Sequence, residues 1–82
     1  MKRYNIRTRV IVDFDMTDLP KPLYFLGKGG ERIKINSISS CDMARWAFRD
    51  VVRYCCNCDK MRVELMWDRH LDRWYLSKQE AI

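Results

Sequence analysis

The sequence predicts a mainly β domain with one short helix near residues 40–49, an α+β arrangement built on a small antiparallel sheet of about five to six strands. Three observations carry that expectation. Apolar and polar residues alternate with a period of two over residues 4–14, 31–38 and 61–67. β-Branched and aromatic side chains are frequent in those stretches. Glycine and proline punctuate the intervals between them. At 82 residues, the chain has length for a single domain, 1–82, with one modest core.

The first stretch places Tyr4, Ile6, Thr8, Val10, Val12 and Phe14 on one face. Asn5, Arg7, Arg9, Ile11 and Asp13 fall on the other. It is long for one strand, so it is expected to bend or to serve two halves of a sheet. Asp15 to Pro22 reads as a loop, because Pro20 and Pro22 cannot donate to a central ladder. Leu23–Leu26 and the alternating run Glu31–Ile38, with Ile33 and Ile35 inward, flank Gly27-Lys28-Gly29-Gly30. That tetrad marks a hairpin, since glycine supplies the positive φ that tight turns require.

Ser39 is placed to cap a helix, with Asp42 three residues on in capping-box position. Met43-Ala44-Arg45-Trp46-Ala47-Phe48-Arg49 follows as helix material. Two endings remain open. A helix over 40–55, in a β-β-β-α-β-β order, gathers Met43, Ala44, Ala47, Val51 and Tyr54 on one face and aligns Arg45, Arg49 and Arg53 opposite. A shorter helix leaves Val51–Cys56 as a strand, which its β-favouring composition supports. Asn57–Lys60 reads as a turn, and Met61–Trp67 as a strand with Met61, Val63, Leu65 and Trp67 inward. Asp68–Asp72 is a polar loop, Arg73–Leu76 a last short strand, and 77–82 a frayed tail.

Arg9-Val10-Ile11-Val12-Asp13-Phe14-Asp15, followed by Pro22-Leu23-Tyr24-Phe25, resembles the opening of a group of uncharacterised small bacterial proteins with barrel-like domains. The match continues through Ile33, Ile35, Ile38, Arg53-Tyr54-Cys55-Cys56, Leu65 before Asp68, and Arg73-Trp74-Tyr75-Leu76. The resemblance implies an SH3-like β-barrel with a strand at 51–56, and it carries no functional residues over. The chain departs from that pattern between Asp42 and Asp50, where a glycine-rich region is replaced by a charged, aromatic one.

A net charge of +5 and a pI of 9.2 favour an acidic partner. No run approaches the roughly 18 apolar residues of a membrane span. Met1–Arg7 is charged without an apolar stretch behind it, so no secretion signal is expected and no membrane partner. The four cysteines then read as reduced thiols in the cytoplasm.

Candidate chemistry is sparse. Cys55-x-x-Cys58 has the spacing of half a zinc site, with Cys41, Cys56 and His70 as the remaining ligands. One continuous helix sets Cys41 roughly 20 Å from Cys55, and no second ligand pair exists. Asp13-x-Asp15-x-x-Asp18 could hold magnesium at a strand end, but it reads more simply as a solvated loop entry. The glycine tetrad lacks the spacing and the Ser or Thr of a phosphate loop. His70 is the single histidine and sits among charged loop residues. No catalytic residue, metal or cofactor is therefore assigned.

What remains is cationic and aromatic. Arg45, Trp46 and Arg49, joined by Arg7 and Arg9, form the candidate partner-binding set, with Arg69 and Arg73 near Trp74 and Tyr75. Guanidinium groups pair with phosphates and stack on bases, and exposed aromatics offer platforms. The expected function is a small non-enzymatic binding domain for nucleic acid or an acidic protein surface, with a homodimer open. The runner-up is a protein-interaction factor, such as a phage or mobile-element inhibitor of a nucleic-acid enzyme. A zinc protein or enzyme ranks third.

Overall fold

The long alternating stretch at the N-terminus forms two strands, β1 (Lys2–Thr8) and β2 (Val10–Asp13), which meet at Arg9. The computed structural model describes residues 2–14, 19–27, 29–46 and 48–82, with side chains from residue 7 onward. The remaining strands are β3 (Lys21–Leu26), β4 (Arg32–Lys34), β5 (Ser37–Trp46), β6 (Arg49–Asn57), β7 (Met61–Asp68) and β8 (Arg73–Ala81). A five-stranded sheet runs β1-β8-β7-β6-β5, a three-stranded sheet runs β2-β3-β4, and every pairing is antiparallel.

The chain passes between the sheets twice. At Arg9 it leaves β8 for β3, and the Leu26 N–H donates to the Arg9 carbonyl at 3.0 Å. At Ile35–Asn36 it leaves β3 for β6: the Ile35 N–H reaches the Leu23 carbonyl at 2.9 Å and the Asn36 N–H reaches Asn57 at 2.8 Å. Each sheet thus continues into the other along its edge strands. The β3–β4 hairpin closes through Gly30 at a φ of 82°, a conformation that glycine adopts without a Cβ clash.

Alternation puts one face of the large sheet against the small one. Tyr54, Leu65, Trp67, Trp74 and Leu76 from the large sheet bury against Phe25 and Ile35. Trp67 and Trp74 stack with ring centroids 6.0 Å apart, and Tyr54 lies 5.3 Å from Trp74. The Tyr54 hydroxyl donates to the Pro20 carbonyl at 2.6 Å, pinning the lead-in to β3 onto the large sheet. Burial pushes the Tyr54 hydroxyl up and the Cys56 thiol up to about 12.

The helix expected near 40–49, and its longer alternative over 40–55, are corrected by the structure. The described residues contain no helix, and residues 37–57 form the β5–β6 hairpin. The Ser39–Asp42 capping box does not form: Ser39 Oγ instead donates to the Cys55 carbonyl at 3.1 Å. Asp42 receives Arg53 across the hairpin in a two-bond fork, at 3.1 and 2.7 Å. Cross-strand partners over nine residues outweigh the modest helix propensity of Met43–Trp46. The strand expected at 51–56 is present within β6.

Three smaller expectations change too. Pro22 lies inside β3, and its missing N–H falls on the β2 side, where the register shifts between Ile11 and Val12. Phe14 follows the end of β2 and points outward at 61% exposure. Residues 77–81, expected within a frayed tail, complete β8 against Met61–Glu64.

Tyr54→Phe removes the donor from a buried carbonyl and should lower stability by about 1–3 kcal/mol in urea unfolding. Stability should also fall as pH rises. The fold keeps Cys56 protonated up to about 12, whereas the ordinary thiol value is 9.0, so above that value the unfolded chain releases a proton that the fold retains. Urea midpoints at pH ~8 and ~10.5 check the direction, and Cys56→Ala should flatten the slope.

Candidate functional site

The outer face of the large sheet, turned away from the core, is not uniformly solvated. Ala44, Val51, Asp68 and Arg73 form one cross-strand row on it. Asp42, Arg53, Met66, Tyr75 and Arg7 form the next. Val51, Met66 and Asp68 are buried yet stand apart from the core cluster. Trp46 explains their burial. It projects from β5 and meets Tyr75 on β8 with centroids 4.8 Å apart, crossing above β6 and β7. Trp46 is therefore a roof over a second, smaller apolar cluster.

Asp68 lies beneath that roof at 0% exposure. Its Oδ1 accepts the backbone N–H groups of His70 at 3.1 Å and Leu71 at 3.3 Å, shaping the turn into β8. Its Oδ2 makes no hydrogen bond but lies 3.3 Å from Arg49 Nη1. The contact is thus an ion pair with poor hydrogen-bond geometry, and Arg49 is the charge that balances a buried carboxylate. The polar loop expected at 68–72 conceals this buried acid at its first residue.

Two further cations of this face are spent internally. Arg53 holds Asp42, whose carboxyl it keeps below the usual carboxylate range through their hydrogen bonds. Lys78 lies 3.3 Å from Glu64, which also accepts from Ser77 Oγ at 2.9 Å. An open groove of about 440 Å³ beside Trp46 is lined by Arg53, Glu64 and Lys78 from these pairs.

The bend at Arg9 is different. Arg7, Arg9 and Arg73 converge on a groove of about 380 Å³ with Trp74 at its base and the exposed Phe14 at its rim. Among the described residues these three arginines make no ion pair. Among the described residues that line the groove, the one acid, Asp72, accepts from Trp67 Nε1 at 3.0 Å. A second groove of about 600 Å³ opens on the other side of the bend, between Arg7, Arg9 and the Leu26–Gly27 corner.

Of the five residues in the sequence-derived set, the structure brings Arg7 and Arg9 together at the bend and Arg45, Trp46 and Arg49 together at the far hairpin. Arg7 joins the two regions, since it pairs with Tyr75, the residue beneath Trp46. Arg73 and Phe14 are additions. The β1–β8 register, which sets Thr8 against Trp74 and Arg7 against Tyr75, is what brings Arg73 to the bend near Arg7.

The cysteines converge on nothing. Cys41 pairs with Tyr54 while Cys55 pairs with Ser40, so the two project to opposite faces of the sheet. Cys56 and Cys58 are buried, and burial raises the Cys58 thiol as well. Among the described residues no three metal-ligating side chains group together. Asp15, Asp18 and Lys28, from the acidic and glycine-rich motifs, lie outside the described residues, as does the Arg3 side chain. No protein-family model matches the chain, and no curated protein or solved structure matches it either.

Arg49→Ala strands Asp68 without a counter-charge. The expected loss is about 2–3 kcal/mol, below the roughly 3–5 kcal/mol of a fully buried pair because Arg49 keeps 39% exposure. Urea unfolding measures it. Asp68→Asn together with Arg49→Met should recover part of the loss, because no charge then remains under the roof.

Proposed function

We propose that the chain is a small binding domain, built of two antiparallel sheets, that grips single-stranded nucleic acid at the Arg9 bend. The observation that carries this reading is the sorting of its cations. Arg49, Arg53 and Lys78 are consumed by carboxylates of the fold, whereas Arg7, Arg9 and Arg73 face one groove without an ion pair among the described residues. Guanidinium groups in that arrangement favour phosphate oxygens, which accept two bonds from one planar fork. Phe14 at the rim supplies a face on which an unstacked base can lie. No catalytic step is part of the reading.

Fluorescence anisotropy with a labelled single-stranded oligonucleotide and the matching duplex tests it. Three phosphate contacts predict binding about 20–40-fold weaker at 200 mM than at 50 mM salt, with the single strand preferred. Arg7→Ala with Arg9→Ala and Arg73→Ala should abolish that salt dependence, and Phe14→Ala should weaken the single strand more than the duplex. No binding at low salt, or binding that the triple variant retains, sinks the reading. An acidic protein surface would then be the partner to seek.

A further inference from the structure

From Ser39 onward β5 pairs with β6 alone, because the ladder on its other side ends where Ile35 donates to Leu23. Among the described residues its second edge has no partner. Edges of this length are normally blunted by charged side chains, above all lysine, by proline or by a bulge. Residues 40–46 contain no lysine or proline, the charge of Asp42 is taken up by Arg53 so that Arg45 is the one charge left, and the one register shift lies earlier, between Ile38 and Ser40. Apolar side chains are nonetheless displayed there. Met43 is 55% exposed, and Phe48 at the hairpin tip is 90% exposed.

Phe48 also sits at a φ of 64°, in the left-handed region that glycine or asparagine fills in tight hairpins. A bulky aromatic there strains the backbone, and at 90% exposure its ring buries too little surface to offset the strain.

We infer that β5 is the contact edge of a symmetric dimer, in which a second copy of this chain adds antiparallel along residues 40–46 and merges two large sheets into one. The strand's own residues select the register. Directly opposed side chains share a face, so a self-paired strand must be centred on a single residue. Centred on Met43, the pairing sets Met43 on Met43, Asp42 on Ala44, Cys41 on Arg45 and Ser40 on Trp46, and it carries the Phe48 tip toward Ile38 of the second copy. Centred on Asp42 it opposes two carboxylates, and centred on Ala44 it sets Met43 against Arg45. The Met43 register alone matches the exposed apolar groups with one another and opposes no like charges. It is independent of the Arg9 groove, which lies beside β1 and β8 at the other side of the sheet.

Sedimentation equilibrium over a range of concentrations should show a monomer of 10.0 kDa passing to twice that mass. Met43→Lys, which sets two ammonium groups against each other, should weaken association at least tenfold with the far-ultraviolet spectrum unchanged. Phe48→Gly separates contact from fold. In dilute monomer it should raise Tm by about 4–8 °C through relief of strain, while weakening the dimer. Arg45→Cys should form a disulfide with Cys41 of the second copy under mild oxidation, mapped by mass spectrometry, since paired antiparallel residues are within bridging distance. A 10.0 kDa species at every concentration overturns the inference. So does association that Met43→Lys leaves intact, or a bridge joining the two Cys41 residues, which reports a different register.

Discussion

The two passages of the chain between its sheets, at Arg9 and at Ile35–Asn36, are the constraint on which the other features depend. A three-stranded sheet with strands of four, six and three residues would not be stable alone. Here its outer strands β2 and β4 are continuous, through the bends at Arg9 and 35–36, with the outer strands of the larger sheet, which holds the two sheets together. Each passage is closed by backbone hydrogen bonds and reinforced by side chains: Thr8 Oγ1 donates to the Leu26 carbonyl at 2.8 Å, and Asn36 Nδ2 donates to Asp59. The core is what the two sheets enclose once the passages hold them together. The Tyr54 hydroxyl adds the cross-link at the third corner, where Pro20 leads into β3.

The same constraint creates the unpaired edge. β4 and β5 together extend the chain from Arg32 to Trp46 with a bend at 35–36, while β3 accompanies it only as far as Leu23. The β5–β6 hairpin therefore projects past the smaller sheet. Its core-side residues Cys41, Met43 and Arg45 meet no third layer and stay exposed. Its outer-face residues fare better, since Trp46 folds back over β6 and β7 to reach Tyr75.

That projection also explains what the sequence could not convey. Strands with one core face are partly legible: residues 7–13 and 61–67 read as strands because every second residue, Val10 and Val12 or Val63, Leu65 and Trp67, packs on the core cluster, and 51–56 had support as one of two readings from its β-favouring composition. The bend at Arg9 was legible as excess length in the first strand. β5 has no such signature, because both of its faces are largely exposed and its polarity does not alternate. With periodicity silent, local propensity and a capping box pointed to a helix. The forces that decide the matter are bonds such as Asp42 to Arg53, between residues eleven positions apart. Asp68 misled for a related reason: it stands beside charged turn residues, and only the sheet's register reveals that it is roofed by Trp46 and paired with Arg49. The candidate site was legible in its residue types and not in its grouping.

Charge sorting follows from that grouping. A net charge of +5 describes the chain as a whole and does not say where an anion would bind. Asp42, Glu64 and Asp68 all lie on the outer face of the large sheet, and each draws a cation from the same face. Those cations hold their positions because the carboxylates hold them, which removes them as competitors for a ligand. Among the described residues the groove at the Arg9 bend has one acid in its lining, and that residue, Asp72, already accepts a bond from Trp67. An arginine with no internal partner keeps its full complement of donors for an external one, at the desolvation cost of a single ion. Three arginines around one groove, without an ion pair among the described residues, rather than the total of sixteen Lys and Arg, are what would give an anion a defined place to bind.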